Sequence, residues 1–199
     1  LAVTNAAGCD DGDCNNEDFR VFRVHADSTM TEVAYLKVPT SPLEVEWMGD
    51  EFIAVTVSNA SGNSKVSSYR FDRVASTISL VETETVGGFC SALEYDPAAN
   101  LLYTQNTSNY TIQRWGVDAA GALTLEGEAF TNAVYPLDPT LNRARTRLYT
   151  AGGISNGGQR IGGFSINPAS SPTILDQLPE APFASPGQSP AYLAFSEDD

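Results

Sequence analysis

Basic residues are scarce in this chain, with 11 Lys and Arg set against 25 Asp and Glu for a formal net charge of −14. Lysine occurs only at Lys37 and Lys65. A surface this acidic repels nucleic-acid phosphates and anionic lipid headgroups, which excludes both as principal partners. His25 is the single histidine, so no Ser-His-Asp set can be assembled around a choice of imidazoles. No apolar run approaches the roughly 18–20 residues that a membrane-spanning helix needs, which excludes membrane insertion by helices. Cysteine is limited to Cys9, Cys14 and Cys90. The first two lie close together in a polar loop, where a disulfide would close a very short ring. Cys90 opens an apolar strand and reads as a buried thiol.

The lysine-poor, acid-rich composition suits an extracellular or periplasmic setting, although solubility alone accounts for it equally well. The triplets Asn59-Ala60-Ser61, Asn106-Thr107-Ser108 and Asn109-Tyr110-Thr111 lean toward export. The chain starts at Leu1 rather than Met, which suggests a processed, trimmed or partial product.

What the chain does have is an internal repeat. Val3-Thr4, Val55-Thr56, Tyr103-Thr104 and Tyr149-Thr150 recur at nearly constant spacing, and Phe22, Tyr69, Trp115 and Phe164 recur in step with them. Each of these aromatics is followed two residues later by an apolar residue and then by a polar turn residue: His25, Asp72, Asp118 or Asn167. A period of about 40–50 residues built from short strands marks a propeller-type array. The alternation of β-branched, aromatic and polar residues predicts strands throughout, with no persistent helical period. The predicted fold is therefore all-β: a propeller domain, or part of one, over residues 1–199, with four blades of four antiparallel strands.

In the second repeat the pattern predicts strands at 43–47, 52–58, 66–71 and 78–84. In the third they fall at 92–95, 101–105, 111–117 and 122–128, and in the fourth at 133–137, 147–151, 161–166 and 173–177. The first repeat lacks its innermost strand, with strands expected only at 1–5, 19–24 and 31–37. Residues 191–196 supply a candidate, because Tyr192-Leu193-Ala194-Phe195-Ser196 running into Leu1-Ala2-Val3-Thr4-Asn5 parallels residues 93–105. The expectation is a first blade completed by this C-terminal strand. The alternatives are two copies forming a larger ring, which makes a homodimer possible, or a ring with further blades.

The stretch Asp96-Pro97-Ala98-Ala99-Asn100-Leu101-Leu102-Tyr103-Thr104-Gln105-Asn106, the start Leu1-Ala2-Val3-Thr4-Asn5 and the segment Gly121-Ala122-Leu123-Thr124-Leu125 resemble the YVTN repeats of the lactonase-type β-propeller family. The resemblance covers nearly the whole chain, and its motifs mark blades rather than chemistry. It implies a ring that usually has seven blades, whereas four are present here, and an active site assembled around the whole ring.

Asp11, Asp13 and Asn15 stand at alternate positions within Cys9-Asp10-Asp11-Gly12-Asp13-Cys14-Asn15-Asn16-Glu17-Asp18. Hard oxygen ligands spaced in this way suit Ca²⁺. Asn16 replaces the expected glycine, and Phe22 stands where an EF-hand has its bidentate Glu, so this is no EF-hand. The expected site is a shorter calcium loop of Asp11, Asp13 and Asn15, completed by Glu17 or Asp18 and pinned by a Cys9–Cys14 bridge. The competing reading is a solvated acidic turn. His25 reads as a turn residue, and no catalytic residue is assigned. Glu44, Glu46, Glu94 and Asp138 lie on or beside innermost strands, where ordinary polar lining is the plainer reading and a metal-assisted lactonase is the chemical one.

Long loops fall on one rim, at 59–64, 106–110, 152–159 and 179–190, together with the acidic loop. The leading expectation is an extracellular or periplasmic binding or scaffold domain that uses this rim to take a protein, carbohydrate or small-molecule ligand. The alternative is a lactonase-like hydrolase acting on a small lactone through the channel carboxylates and a metal.

Overall fold

The computed structural model describes residues 1–5, 18–38, 41–58, 63–131, 136–152, 160–167, 173–185 and 190–196. Among them the fold is all-β, a propeller of four antiparallel sheets. Blade 1 holds β1 (Ala2–Asn5), β2 (Asp18–Val24) and β3 (Met30–Lys37). Blade 2 holds β4 (Ser41–Met48), β5 (Phe52–Ser58), β6 (Lys65–Asp72) and β7 (Thr77–Thr85). Blade 3 holds β8 (Leu93–Asp96), β9 (Leu101–Asn106), β10 (Thr111–Val117) and β11 (Leu123–Phe130). Blade 4 holds β12 (Pro136–Leu141), β13 (Arg147–Gly152), β14 (Arg160–Ile166) and β15 (Leu175–Gln177), and β16 (Phe183–Ala184) also pairs with β14.

The repeated residues have repeated jobs. Thr56, Thr104 and Thr150 are fully buried on the second strands of their blades. The ladder slips by one residue at Val21/Phe22, Ser68/Tyr69 and Arg114/Trp115, next to the recurring aromatic in three successive blades. A bulge there sharpens the twist that a blade needs. The polar turn residues hold hairpins: Asp72 accepts the N–H groups of Val74 and Ala75, and Asp118 those of Ala120 and Ala122. His25 sits in the corresponding turn, where its N–H donates to the Thr29 carbonyl, as its sequence position predicts.

The apolar core is layered between blades. One cluster joins Phe19 and Val21 of blade 1 to Ile53, Val55 and Tyr69 of blade 2. A second joins Met48, Ala54 and Val66 of blade 2 to Leu93, Leu102 and Trp115 of blade 3. A third joins Tyr103 and Ile112 of blade 3 to Leu148, Phe164 and Ile174 of blade 4. Blades approach closely at Gly121, in a turn with φ of +81°, where a Cβ would collide with the Phe52 ring of blade 2. Gly121→Ala therefore combines overpacking with left-handed strain, and is expected to cost about 1–3 kcal/mol in thermal unfolding. A melting curve indistinguishable from wild type would contradict this packing.

Two expectations need correction. The innermost strand of blade 4 is described over β12 and runs to Leu141, past the expected end at 137, with Pro136 and Pro139 in it, while residues 133–135 lie outside the described residues. The inner strand is a sheet edge, where proline's missing N–H is tolerated, and the ladder slips between these two prolines. The second correction concerns the C-terminal segment. Residues 190–196 form no ladder with β1, and the first sheet stays three-stranded among the described residues. The segment nevertheless stands beside blade 4, where the Leu193 N–H donates to Asp138 at 2.8 Å and Phe195 packs edge-on against Tyr149 at 5.4 Å, and it lines a cleft together with Ala2, Val3 and Thr4 of β1.

Candidate functional site

The inner strands β1, β4, β8 and β12 follow one another around the channel. Side chains of a strand alternate faces, so Glu44 and Glu46 project from the same face of β4. Glu94 on β8 and Asp138 on β12 join them, and all four are half-buried. The structure thus brings together the four carboxylates that sequence position singles out.

Each inner strand is the edge of its sheet and carries N–H groups that the ladder leaves unpaired. Carboxylates take several of them across the gap between blades. Glu44 accepts the Leu93 N–H, and Glu94 accepts the Leu141 N–H at 3.3 Å. Asp138 accepts the Leu193 N–H and, at 3.4 Å, the Thr140 hydroxyl. Between blades 1 and 2 the same latch is made by the Thr4 hydroxyl, which donates to the Leu43 carbonyl at 3.3 Å. The acids therefore clip neighbouring blades together while facing one another.

That arrangement makes them weak acids. Burial, followed by the charges of Asp138, Glu46 and Glu94, pushes the Glu44 carboxyl up to about 7. Burial, with Glu46 and Asp138 close by, raises Glu94 to about 7, opposed by the Leu141 N–H and Arg145. Burial also raises Glu46 and Asp138. Like charges sharing a partly dehydrated space cannot all ionise cheaply.

A cleft of about 570 Å³ opens where the channel meets the loop-bearing face, lined by Thr4, Leu43, Glu44, Ser91, Leu137 and Tyr192 among others. Among the described residues no Lys or Arg lines it. A second cavity, about 370 Å³, lies between blades 1 and 2 against Trp47 and Phe71, without any of these carboxylates.

Asp11, Asp13, Asn15 and Glu17 of the expected calcium loop, and Cys9 and Cys14 of the expected bridge, lie outside the described residues. Asp18 is described. It is buried, and both of its oxygens take the Arg20 guanidinium, at 3.1 and 2.8 Å. Cys90 is fully buried, with its thiol pushed up to about 12 by that burial, in keeping with the sequence expectation. Among the described residues no three His, Cys, Asp or Glu side chains stand close enough to ligate one ion. The four channel acids are thus not gathered as three carboxylate ligands of one ion.

Sequence reasoning passes over Ser91, which lines the cleft, and Gln105, which holds it. The Gln105 side chain is fully buried, and its Nε2 donates to Ser91 Oγ at 2.8 Å.

No family model matches the sequence, and neither does any curated protein. Solved structures do match the fold. A candidate 6-phosphogluconolactonase from Bacteroides fragilis superposes with a TM-score of 0.74 at 18% identity, over 92% of this chain and 55% of that one. A Lactobacillus plantarum protein gives 0.70 at 14% identity, over 87% and 51%. The periplasmic gluconolactonase of Pseudomonas aeruginosa gives 0.64 at 16% identity, over 89% and 50%. The likeness shows the fold, that of lactonase-type β-propellers. This chain spans about half the length of the structures it matches.

Proposed function

We propose that this chain carries the hydrolytic site of a lactonase-like propeller, acting on a small uncharged lactone at the channel mouth. The observation that carries the reading is Glu44: a half-buried carboxyl that lines a 570 Å³ cleft, with three further carboxyl groups behind it. The lactonase-type fold of the solved neighbours supports the hydrolase over a rim-binding scaffold.

In this reading the ionised Glu44 takes a proton from a water held in the cleft. The water oxygen bonds to the lactone carbonyl carbon, and the ring C–O bond then breaks. The proton held at Glu44 passes to the departing alkoxide. Lactone and water become one hydroxy acid, and Glu44 returns to its starting state. A base that titrates near neutrality is well matched to this task.

The cleft also restricts the substrate. Hydroxyl groups of Thr4, Ser91 and Tyr192 suit a hydroxylated ring, while the chain's charge of −14 and a lining without Lys or Arg among the described residues disfavour a phosphorylated one. Assays of the 199-residue chain with glucono-δ-lactone and with its 6-phosphate, across pH 5–9, are expected to show turnover rising through about pH 7, the value to which Glu44 is pushed. The neutral lactone should be favoured by at least about tenfold, the factor that 1.4 kcal/mol of discrimination gives. Absence of turnover on both, or preference for the phosphate ester, would overturn the proposal.

A further inference from the structure

The crossover from β7 to β8 carries Ser91 past the cleft, and it is tied down along its length. Ser64 N–H donates to the Gly88 carbonyl at 2.9 Å, and Cys90 N–H donates to Ser64 Oγ at 3.0 Å. The Thr107 N–H and hydroxyl both reach the Phe89 carbonyl, at 3.0 and 3.1 Å. Asn106 Nδ2 and Gln113 Nε2 donate to the Val86 carbonyl at 3.2 and 3.1 Å. At Gly88, with φ of +62°, a Cβ would strike the side chains of Asn106 and Ser108. A segment pinned in this way holds its side chains at fixed positions.

Gln105 then fixes the Ser91 hydroxyl. The amide is fully buried and spends Nε2 on Ser91 Oγ, while Gln105 Oε1 has no partner among the described residues. Because Ser91 Oγ accepts from Gln105, its own proton points elsewhere, and no acceptor within the described residues takes it. Ser91 lines the cleft together with Glu44, whose carboxylate accepts the N–H of Leu93, two residues further on.

We infer that the Ser91 hydroxyl donates to the lactone carbonyl oxygen and stabilises the negative charge that develops there, with Gln105 as the positioning residue behind it. This rests on the hydrolase reading above. As the water oxygen bonds to carbon, the carbonyl π electrons move onto the oxygen held by Ser91. They return when the ring C–O bond breaks, so the hydroxyl keeps its own proton throughout. A donor aimed at an oxyanion acts on kcat more than on KM.

The test compares wild type with Ser91→Ala, Ser91→Thr and Gln105→Glu, using glucono-δ-lactone. Ser91→Ala is expected to lower kcat about 100-fold, the usual effect of losing one such donor, with KM within about threefold and the pH midpoint unmoved. Ser91→Thr, which keeps the hydroxyl, should recover most of the loss. Gln105→Glu replaces the donor with an acceptor that turns the Ser91 proton inward, and should mimic Ser91→Ala. A Ser91→Ala enzyme with wild-type kcat, or one altered only in KM, overturns the inference while leaving the hydrolase reading intact. If wild type shows no turnover, the hydrolase reading fails, and Ser91 is then judged by binding of δ-valerolactam, a carbonyl acceptor that is not hydrolysed. At least tenfold weaker binding by Ser91→Ala supports the donor role; equal binding, or none by wild type, removes it.

Discussion

Glu44→Gln is expected to raise the melting temperature at pH 8 and, in the same protein, to abolish lactone hydrolysis. A carboxyl pushed from 4.5 in the unfolded chain to about 7 in the fold binds more protons folded than unfolded between those values. Its contribution to stability is therefore fully present below about pH 4.5 and is lost as pH rises through 7. Glu94 works in the same direction over the same window, and Glu46 and Asp138 also lie above their ordinary values. Asp27 and Asp72 are shifted downward from 3.8, so their contributions change in more acidic solution and do not offset this trend. Wild type should thus melt higher at pH 5 than at pH 8. Glutamine keeps an oxygen for the Leu93 N–H but carries no charge, so the variant should flatten the profile. A gain of about 2–4 °C is expected for each kcal/mol of repulsion relieved in a domain of this size. Hydrolysis should fall by about 10²–10⁴, the range for losing a general base. Calorimetry at the two pH values, with the assay on the same samples, decides the matter. A wild-type profile flat from pH 5 to 8, or a variant that melts lower at pH 8, would show that Glu44 is not held against its charge.

The trade follows from where the acids stand. They latch edge N–H groups between blades and face one another across the channel, so the contacts that align the inner strands also concentrate charge. A site that stores unfavourable ionisation is where stability and chemistry are expected to conflict.

Much of this was legible in the chain. The Val-Thr and Tyr-Thr pairs and the aromatic series reveal the blades because every blade buries the same positions against its neighbours, as Tyr69, Trp115 and Phe164 do. The channel acids could be picked out because a carboxylate on an innermost strand has few places to point other than the channel. The run of β12 through Pro139 to Leu141 was not legible, since a proline reads as loop unless it is known that the strand is an edge. Nor was the lack of pairing by residues 190–196. Their likeness to residues 93–96 is real, and Leu193 offers Asp138 the N–H that Leu93 offers Glu44. What sequence did not show is that they would make this contact without forming a ladder with β1. Ser91 and Gln105 carried no signal at all: a serine in a crossover and a glutamine in a strand are common, and their contact spans two blade elements that only the fold brings together.

Arg114→Ala should be among the most damaging single substitutions outside the channel. Arg114 is only 1% exposed, on β10, in a chain with few cations. Its Nε meets Glu126 Oε2 at 2.8 Å within blade 3. Its Nη1 crosses to blade 4 and donates to the Asn167 carbonyl at 2.6 Å and, more distantly, to that of Ile174 at 3.4 Å. The guanidinium fork thus ties two blades at a place where Tyr103, Ile112 and Ile174 pack together. Desolvating such a cation is expensive, and the Glu126 carboxylate and the two carbonyls offset the cost. Alanine removes the cation but not its partners. The Asn167 carbonyl loses the guanidinium, the Ile174 carbonyl keeps only the Asn167 N–H, Glu126 keeps a charge that solvent reaches only in part at 27% side-chain exposure, and a void opens between the blades. The expected loss is about 3–5 kcal/mol, or a fall on the order of 10 °C in melting temperature. Arg114→Lys keeps the charge but not the fork, so it should fall between the two. The double variant Arg114→Met, Glu126→Leu removes both charges and fills part of the space, and it should lose less than Arg114→Ala alone. Chemical denaturation of the four proteins tests the ordering. A loss below about 1 kcal/mol for Arg114→Ala, the scale of an exposed pair, would mean that the blades are held by their apolar layers without this clamp.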